Sequence, residues 1–141
     1  MPAAASAKGL AFADSNVLLY LQSNDSRKAG IAERLVEQRL TLSVQVLNEI
    51  ANVARRKFAM SWLEVVDVLG GLRDCSDVLP LTVQVHERAL TLVQRHSFAW
   101  YDSLIVASAL EAGCTTLFSE DMQNGLIVDR TLKVCNPFLA P

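Results

Sequence analysis

The chain has 141 residues, of which 51% are hydrophobic and 20% are charged. These proportions are typical of one folded globular domain and exclude a disordered or collagen-like chain. Because 13 basic residues stand against 15 acidic ones, the net charge is −2, which excludes a protein that coats nucleic acid through overall positive charge.

The opening residues, MPAAASAKG, lack the long apolar segment of a signal peptide. They predict a flexible N-terminal tail at 1–9 ahead of a single domain at 10–141. No segment is apolar for long enough to cross a bilayer, so we expect no membrane association. The cysteines are isolated in the sequence and form neither a C-x-x-C pair nor a zinc set with the histidines. Reduced thiols in the cytoplasm fit this pattern, and a cytoplasmic protein is expected.

The first part of the chain predicts two strands, each followed by helical segments. LAFAD at 10–14 is a short apolar strand that ends in Asp, and a short helix follows it at 15–22. An amphipathic helix is predicted at 26–39 because its apolar residues fall on one stripe. LTLS at 40–43 is the second strand, and the helix predicted at 44–58 again carries one apolar face.

A helix and a strand follow in the middle of the chain. Ser61, with Glu64 three residues later, forms a capping box that starts a helix at 62–74. DVLPL at 77–81 is a third strand, and its proline favours the edge of a sheet.

The last part of the chain predicts two more helices and two more strands. The helices lie at 83–96 and 102–113, and Gly113 closes the second of them. TTLF at 115–118 and TLKVCN at 131–136 supply the strands.

Short apolar strands that alternate with helices predict an α/β fold with a mainly parallel central sheet of about five strands, flanked by helices on both faces. In such sheets ligands bind outside the carboxyl ends of the strands, where the chain connections reverse direction. The strand exits are therefore where functional residues are expected.

Four acidic side chains come from separate segments near these strand exits. Asp14 closes the first strand, and Glu49 lies beside the buried stripe of the helix after the second. Asp102 opens a helix that is apolar nearly all round, and Asp121 follows the fourth strand. Each acid also has a structural interpretation. Asp14 and Asp102 suit the N-cap position of a helix. Asp121 suits an Asx-turn, and Glu49 suits the exposed surface of its helix.

Convergence of these four carboxylates would require a cation, because clustered carboxylates repel one another and raise each other's pKa values. Ligation by oxygen alone suits Mg²⁺ or Mn²⁺, and the absence of nearby thiols and clustered histidines argues against zinc. A carboxylate-held metal of this kind suits phosphate chemistry, since it activates water and stabilises charge on phosphoryl oxygens.

Two further segments have both a functional and a structural interpretation. Arg55, Arg56 and Lys57 either contact phosphates of a nucleic acid or complement the dipole at the end of their helix. Trp100 and Tyr101 either stack on an unpaired base or fill the core or a dimer interface, with the core favoured.

Several stretches together resemble the motifs of PIN-domain proteins. They run in the family's order from about residue 11 to 138, and they are FADSNVLLYL, LSVQVLNEIANVARRK, FAWYDSLIVASALEAGCTTLFSEDMQNG and LKVCNPF. Their joint occurrence is specific, although each motif alone is weak. Within this family the chain looks most like the VapC-type toxins of bacterial toxin–antitoxin modules.

The resemblance implies a PIN-like fold and a metal-dependent endoribonuclease, usually a homodimer, that acts on RNA and is neutralised by a small antitoxin. The implied cofactor is Mg²⁺ or Mn²⁺. We expect Asp14, Asp102 and Asp121 to bind the metal and Glu49 to position or deprotonate the attacking water, so that hydrolysis leaves 5′-phosphate and 3′-hydroxyl ends.

The resemblance also implies supporting roles for neighbouring polar residues. Ser15 and Asn16 tune the surroundings of the first acid, and Ser119 hydrogen-bonds a metal-bound water or a carboxylate. Glu120 is an alternative ligand to Asp121 if the turn is offset, with Asp121 favoured by the spacing of the motif.

Two other functions compete with this interpretation. A haloacid-dehalogenase-like aspartyl-phosphate hydrolase also begins with a strand and an Asp, but it needs an acid two residues later, where this chain has Asn16. The other is a non-catalytic PIN-like protein-binding module, in which the acids only cap helices and an apolar face docks a partner.

Overall fold

The structure is a computed structural model and describes residues 10–139; the tail predicted at 1–9 lies outside the described residues. Within that range the strands are β1 (Leu10–Ala13), β2 (Thr41–Ser43), β3 (Asp77–Leu79), β4 (Cys114–Phe118), β5 (Ile127–Val128) and β6 (Leu132–Cys135). The helices are α1 (Ser15–Leu18), α2 (Ser26–Val36), α3 (Val44–Lys57), α4 (Trp62–Cys75), α5 (Val83–Arg95) and α6 (Trp100–Glu111), and a 3₁₀ turn (Leu19–Gln22) follows α1.

The strands form one sheet in the order β3-β2-β1-β4-β6-β5. All neighbouring pairs are parallel except β5 with β6. The chain moves from β1 outward to β3 and then returns to the other side of β1 to form β4. Since such crossovers are right-handed, the helices before and after this return cover opposite faces of the sheet. The predicted α/β fold with a mainly parallel sheet is confirmed.

The core consists of the central strands and the helices that pack on them. Phe12 of β1, Leu42 of β2 and Leu117 of β4 are completely buried. Helix α6 is buried along residues 105–110, which explains why its sequence is apolar on all sides rather than on one stripe. None of the helices in residues 10–139 combines the length and apolar character that a membrane span needs.

Several local predictions are confirmed with small shifts. β3 lies at one edge of the sheet, as Pro80 indicated. The capping box is present, with the Ser61 hydroxyl accepting from the Glu64 amide and the Glu64 carboxylate accepting from the Ser61 amide. Helix α2 ends at Val36 rather than at residue 39, and Arg39 has a positive φ of 56°.

One helix boundary was predicted wrongly, and one strand was missed. Helix α6 begins at Trp100 rather than at Asp102, so its N-cap is Ala99 and Asp102 lies inside the first turn, where an acid favours the helix dipole. The sheet also has a sixth strand, β5, which is only two residues long and pairs antiparallel with β6. So short a segment carries no period-2 pattern from which to predict it.

Candidate active site

The carboxyl ends of β1, β2 and β4 meet at one edge of the sheet and surround a cavity of about 290 Å³. It is lined by all four predicted acids together with Ser15, Asn16, Asn52 and Val53, and the acids are Asp14, Glu49, Asp102 and Asp121. The cavity lies where the chain turns from one side of β1 to the other, which is the ligand-binding position of open parallel sheets. No Lys or Arg is among its lining residues.

Asp14 is the most buried of these acids, with 4% of its surface exposed. Its Oδ1 accepts the Ser15 amide at 2.8 Å, so Asp14 caps α1 as the structural alternative proposed, while it also lines the cavity. Burial, and next the charge of Glu49, raise the pKa of Asp14 to about 7, against the opposing bonds from Ser119 and Ser15. No Lys or Arg lines the cavity to offset these two effects.

Glu49 is held by two hydrogen bonds from different elements. The Ser15 hydroxyl donates to Oε1 at 2.8 Å, and the Gln45 amide donates to Oε2 at 3.2 Å. The same Gln45 amide donates to the carbonyl of Tyr101 at 3.2 Å and so joins α3 to the first turn of α6. Glu49 is therefore a fixed acceptor rather than a free surface acid.

Asp102 and Asp121 complete the acidic lining from the opposite side. Asp102 is half-buried, and burial, then the charges of Asp121 and Glu49, raise its pKa. Asp121 is exposed and follows β4 in the turn that leads toward β5. All four acids thus line one cavity.

Ser119 and Asn16 connect the ends of β1 and β4. The buried Ser119 hydroxyl donates to Asp14 Oδ2 at 3.1 Å, and the Asn16 amide lies 3.4 Å from the same oxygen. Asn16 Oδ1 in turn accepts the Glu120 amide at 3.1 Å. These bonds fix the turn that carries Asp121 against the residues that follow β1.

Glu120 does not line the cavity. Its carboxylate accepts the Tyr20 hydroxyl at 2.6 Å and pairs with Lys28 at 2.5 Å. Burial opposes ionisation of Glu120, but the bonds from Lys28 and Tyr20 outweigh it and lower its pKa. Of the two neighbouring acids, Asp121 faces the cavity and Glu120 anchors the turn to α2.

The chemistry of this donor set fits a hard divalent cation. All the candidate ligands are oxygen atoms, and the raised pKa values of Asp14 and Asp102 express carboxylate charge without a counter-charge. Among residues 10–139, however, no three His, Cys, Asp or Glu side chains are already grouped closely enough to hold an ion. The fit to a cation is therefore one of donor type and location.

The basic and aromatic residues near the site have distinct surroundings. Arg55, Arg56 and Lys57 are all exposed. Arg55 also donates to the carbonyl of Met60 at 2.8 Å, and its guanidinium lies 4.7 Å from the centre of the Trp62 ring. Trp100 packs against the core, as the favoured alternative predicted, and its ring meets that of His86 edge-on at 5.6 Å. Tyr101 is exposed.

The sequence did not identify four residues that line the site or hold its surroundings. Gln45 contacts Glu49 one helical turn away, and an i, i+4 spacing from a candidate acid was the available indication. Lys28 and Tyr20 hold Glu120 across about 100 residues of sequence, as their separations of 92 and 100 residues show, and no local pattern predicts that contact. Asn52 adds a neutral amide to the cavity wall.

The fold and the site thus define a mainly parallel α/β domain whose topological switch point is lined by carboxylates from separate segments. The sequence matches the PIN domain family over residues 11–123, which is most of the chain. The protein therefore belongs to the PIN domain family. Among curated proteins, no sequence matches the chain significantly.

Solved structures share this fold at low sequence identity. The chain superimposes on Mycobacterium tuberculosis VapC20, a sarcin–ricin loop cleaving toxin, with a TM-score of 0.64 and 18% identity, covering 79% of this chain and 89% of that one. A toxin–antitoxin complex from Klebsiella pneumoniae gives a TM-score of 0.69 and 18% identity over 90% and 97% of the two chains. FitAcB from Neisseria gonorrhoeae gives 0.57 and 16% over 92% and 99%.

Proposed function

We propose that this protein is a metal-dependent endoribonuclease of the VapC toxin type, which hydrolyses phosphodiester bonds of RNA and is neutralised by a cognate antitoxin protein. The observation that carries the proposal is the cavity at the carboxyl edge of the sheet, which four acids line and no Lys or Arg enters. Membership of the PIN family supports it, because PIN nucleases generally use divalent metal ions.

Asp14, Asp102 and Asp121 are the proposed metal ligands, and Mg²⁺ or Mn²⁺ is the proposed ion. A bound ion would supply charge stabilisation at the phosphoryl group and a more acidic water. Among the protein groups, Glu49 is positioned by Ser15 and Gln45 to accept a proton from the attacking water. Hydrolysis at phosphorus then leaves a 5′-phosphate and a 3′-hydroxyl.

The supporting residues act through the acids. Asn16 and Ser119 donate to the carboxylate of Asp14 and hold it in the cavity. Glu120, through Lys28 and Tyr20, holds the turn that presents Asp121. Arg56 and Lys57, which are exposed at the end of the helix that carries Glu49, are proposed to contact RNA phosphates.

The proposed partners are an RNA substrate, an antitoxin and a second copy of the chain. VapC20, a sarcin–ricin loop cleaving toxin, has this fold, which supports the RNA substrate. A toxin–antitoxin complex from Klebsiella pneumoniae also has it, which supports the antitoxin. Large apolar side chains that are more than half exposed on α4, namely Trp62, Leu63 and Val66, support docking of protein partners to the outer surface.

An RNA cleavage assay tests the nuclease proposal. Total bacterial RNA is incubated with the purified protein in Mg²⁺ or Mn²⁺, and the new ends are sequenced. Asp14→Asn and Asp102→Asn are each expected to lower the cleavage rate about 100-fold or more, because each removes a charge that the metal needs. EDTA should abolish cleavage, and added Mg²⁺ should restore it.

Asp67→Asn is the matched control, since Asp67 is an exposed acid on α4 outside the cavity. It should cleave like the wild-type protein. Undiminished cleavage in EDTA would exclude the metal mechanism. Absence of any cut by the wild-type protein, together with a melting temperature that Mn²⁺ does not raise, would favour the non-catalytic binding module.

A further inference from the structure

We propose that a second cavity, next to the carboxylate cavity, binds one unpaired base of the RNA beside the phosphodiester bond that is cut. This inference rests on the proposed nuclease function and names a subsite for its substrate. The cavity has a volume of about 370 Å³ and lies between the residues that precede α6 and the turn that follows β4. Its volume falls within the range of small-molecule sites.

The two cavities share two of the acids. Asp102 and Asp121 line both, so the second cavity begins where the proposed metal ligands end. A phosphate beside those acids would place the attached nucleoside within reach of the second cavity. Asp14 and Glu49 line only the first cavity, which makes the second one an extension away from the reacting atoms.

The wall of the second cavity contains two aromatic rings that are already stacked. The rings of His96 and Phe98 lie 5.0 Å apart at an interplanar angle of 25°, and both side chains are half-buried. Flat rings held in this way extend a stack to an incoming base, which offers a π-face whatever its identity. Met122 and Leu126 add apolar side chains to the lining.

The charge of the lining indicates a base rather than a phosphate. No Lys or Arg lines the second cavity, and its acids would repel a phosphate that is not bridged by metal. The exposed Ser97 and Gln123 supply neutral hydrogen-bonding groups at its rim. Aromatic and apolar side chains beside neutral polar groups match the face and the edge of a nucleobase, and the Gln123 amide can both donate to and accept from that edge.

A binding experiment with abasic RNA tests this proposal. The protein carries Asp14→Asn, which leaves the second cavity intact and prevents cutting under the proposed mechanism. Its affinity for fluorescent octamers of uridine and of adenosine is measured in Mg²⁺ by anisotropy, with one residue at a time replaced by abasic ribose. Loss of one particular base is expected to weaken binding about tenfold, while losses elsewhere have smaller effects.

Phe98→Leu, added to the same protein, should weaken binding of the intact octamer about tenfold and make it insensitive to the abasic replacement. His96→Leu provides a second variant in case Phe98→Leu is unstable, and Gln123→Ala should alter the preference between the two octamers. Phe58→Leu is the matched control, because Phe58 is a partly exposed ring outside both cavities. Phe58→Leu should show the same loss of affinity on abasic replacement as the protein without this substitution.

The proposal is overturned if the abasic penalty keeps its size in Phe98→Leu and His96→Leu, if no single base matters, or if neither octamer binds. Its failure differs from failure of the nuclease proposal. If the wild-type protein cleaves RNA but Phe98→Leu does not change the effect of the abasic replacement, the nuclease proposal stands and the subsite proposal fails. If Phe98→Leu abolishes that effect but the wild-type protein cleaves no RNA, the subsite proposal stands and the nuclease proposal fails.

Discussion

Asp14 has two roles with opposite effects on its protonation state. As the N-cap of α1 its carboxylate accepts a backbone amide, which favours the charged form. As a buried group beside Glu49 it is driven toward the neutral form, and this effect wins, because its pKa is raised to about 7. A carboxylate kept in so unfavourable a position, and on the wall of a cavity, is typical of a functional site rather than of a cap alone.

This raised pKa predicts how the metal-free protein responds to pH. In the unfolded chain Asp14 has the ordinary pKa of 3.8, and in the folded chain about 7, so between about pH 4 and pH 7 the folded state holds a proton that the unfolded state has released. The free energy of unfolding should therefore fall as the pH rises through this window. Asp14→Asn should remove that loss and be more stable than the wild-type protein at pH 8, by on the order of 2–4 kcal/mol.

Urea denaturation in EDTA from pH 4 to pH 8 measures this difference. Near pH 4 the variant and the wild-type protein should have similar stability, and the gap should open as the pH rises. Asp67→Asn, an exposed acid, should follow the wild-type curve. Parallel curves for Asp14→Asn and the wild-type protein would contradict the assigned pKa.

Sequence patterns identify the acids more readily than the residues that hold them. Each acid that lines the cavity lies at or near a strand exit or in the first two turns of a helix, and the order of elements predicts those positions. The contacts of Lys28 and Tyr20 with Glu120 depend instead on the packing of α2 against the turn after β4. Only the folded chain brings them together, so no local pattern separates Glu120 from Asp121 as the candidate ligand.

At the scale of elements, two glycines in similar open space should respond in opposite ways to alanine. A Cβ added at Gly113 or Gly71 would meet nothing within 4 Å, so steric clash does not distinguish them. Gly113 ends α6 with a φ of +76°, where alanine costs about 1 kcal/mol. Gly71 lies inside α4, where alanine should stabilise by about 0.5–1 kcal/mol.

Denaturant unfolding of Gly113→Ala and Gly71→Ala measures these two effects, each serving as the control for the other. The stability of Gly113→Ala should fall and that of Gly71→Ala should rise. A change of the same sign in both variants would show that backbone conformation is not what decides at these positions.

The boundaries of the elements were predictable where a side chain marks them and not elsewhere. Ser61 and Glu64 mark the start of α4, and Gly113 marks the end of α6. The start of α6 has no such mark, because Ala99 caps it without a side-chain bond and Trp100 is anchored by packing on the core. Tertiary packing therefore set the boundary that local chemistry left open.

At the scale of the whole molecule, a net charge of −2 offers no general attraction to RNA. The proposed acidic site adds local repulsion. Any phosphate contacts must come from a confined basic segment, and Arg56 and Lys57 are exposed at the end of α3, while Arg55 is bound to Met60 and Trp62. Salt dependence of RNA binding is the property that reports such contacts.

Replacing both Arg56 and Lys57 with Gln should reduce the slope of log K against log salt concentration by about 1–2, without moving the position of cleavage. Anisotropy with a single-stranded RNA at several salt concentrations measures the slope. Arg73→Gln with Lys133→Gln is the matched control, since these exposed cations lie toward the amino ends of β3 and β6, away from the site. Equal slopes for the two double variants would exclude a specific role for the α3 cations.

The bond between Ser119 and Asp14 joins residues 105 positions apart, and the Ser119 amide is itself held by the carbonyl of Cys135 on the late strand β6. The surroundings of Asp14 near the start of the chain therefore depend on the last strand of the described sheet. During synthesis this arrangement cannot form before residue 135 has been added, because the carbonyl that holds the Ser119 amide belongs to Cys135.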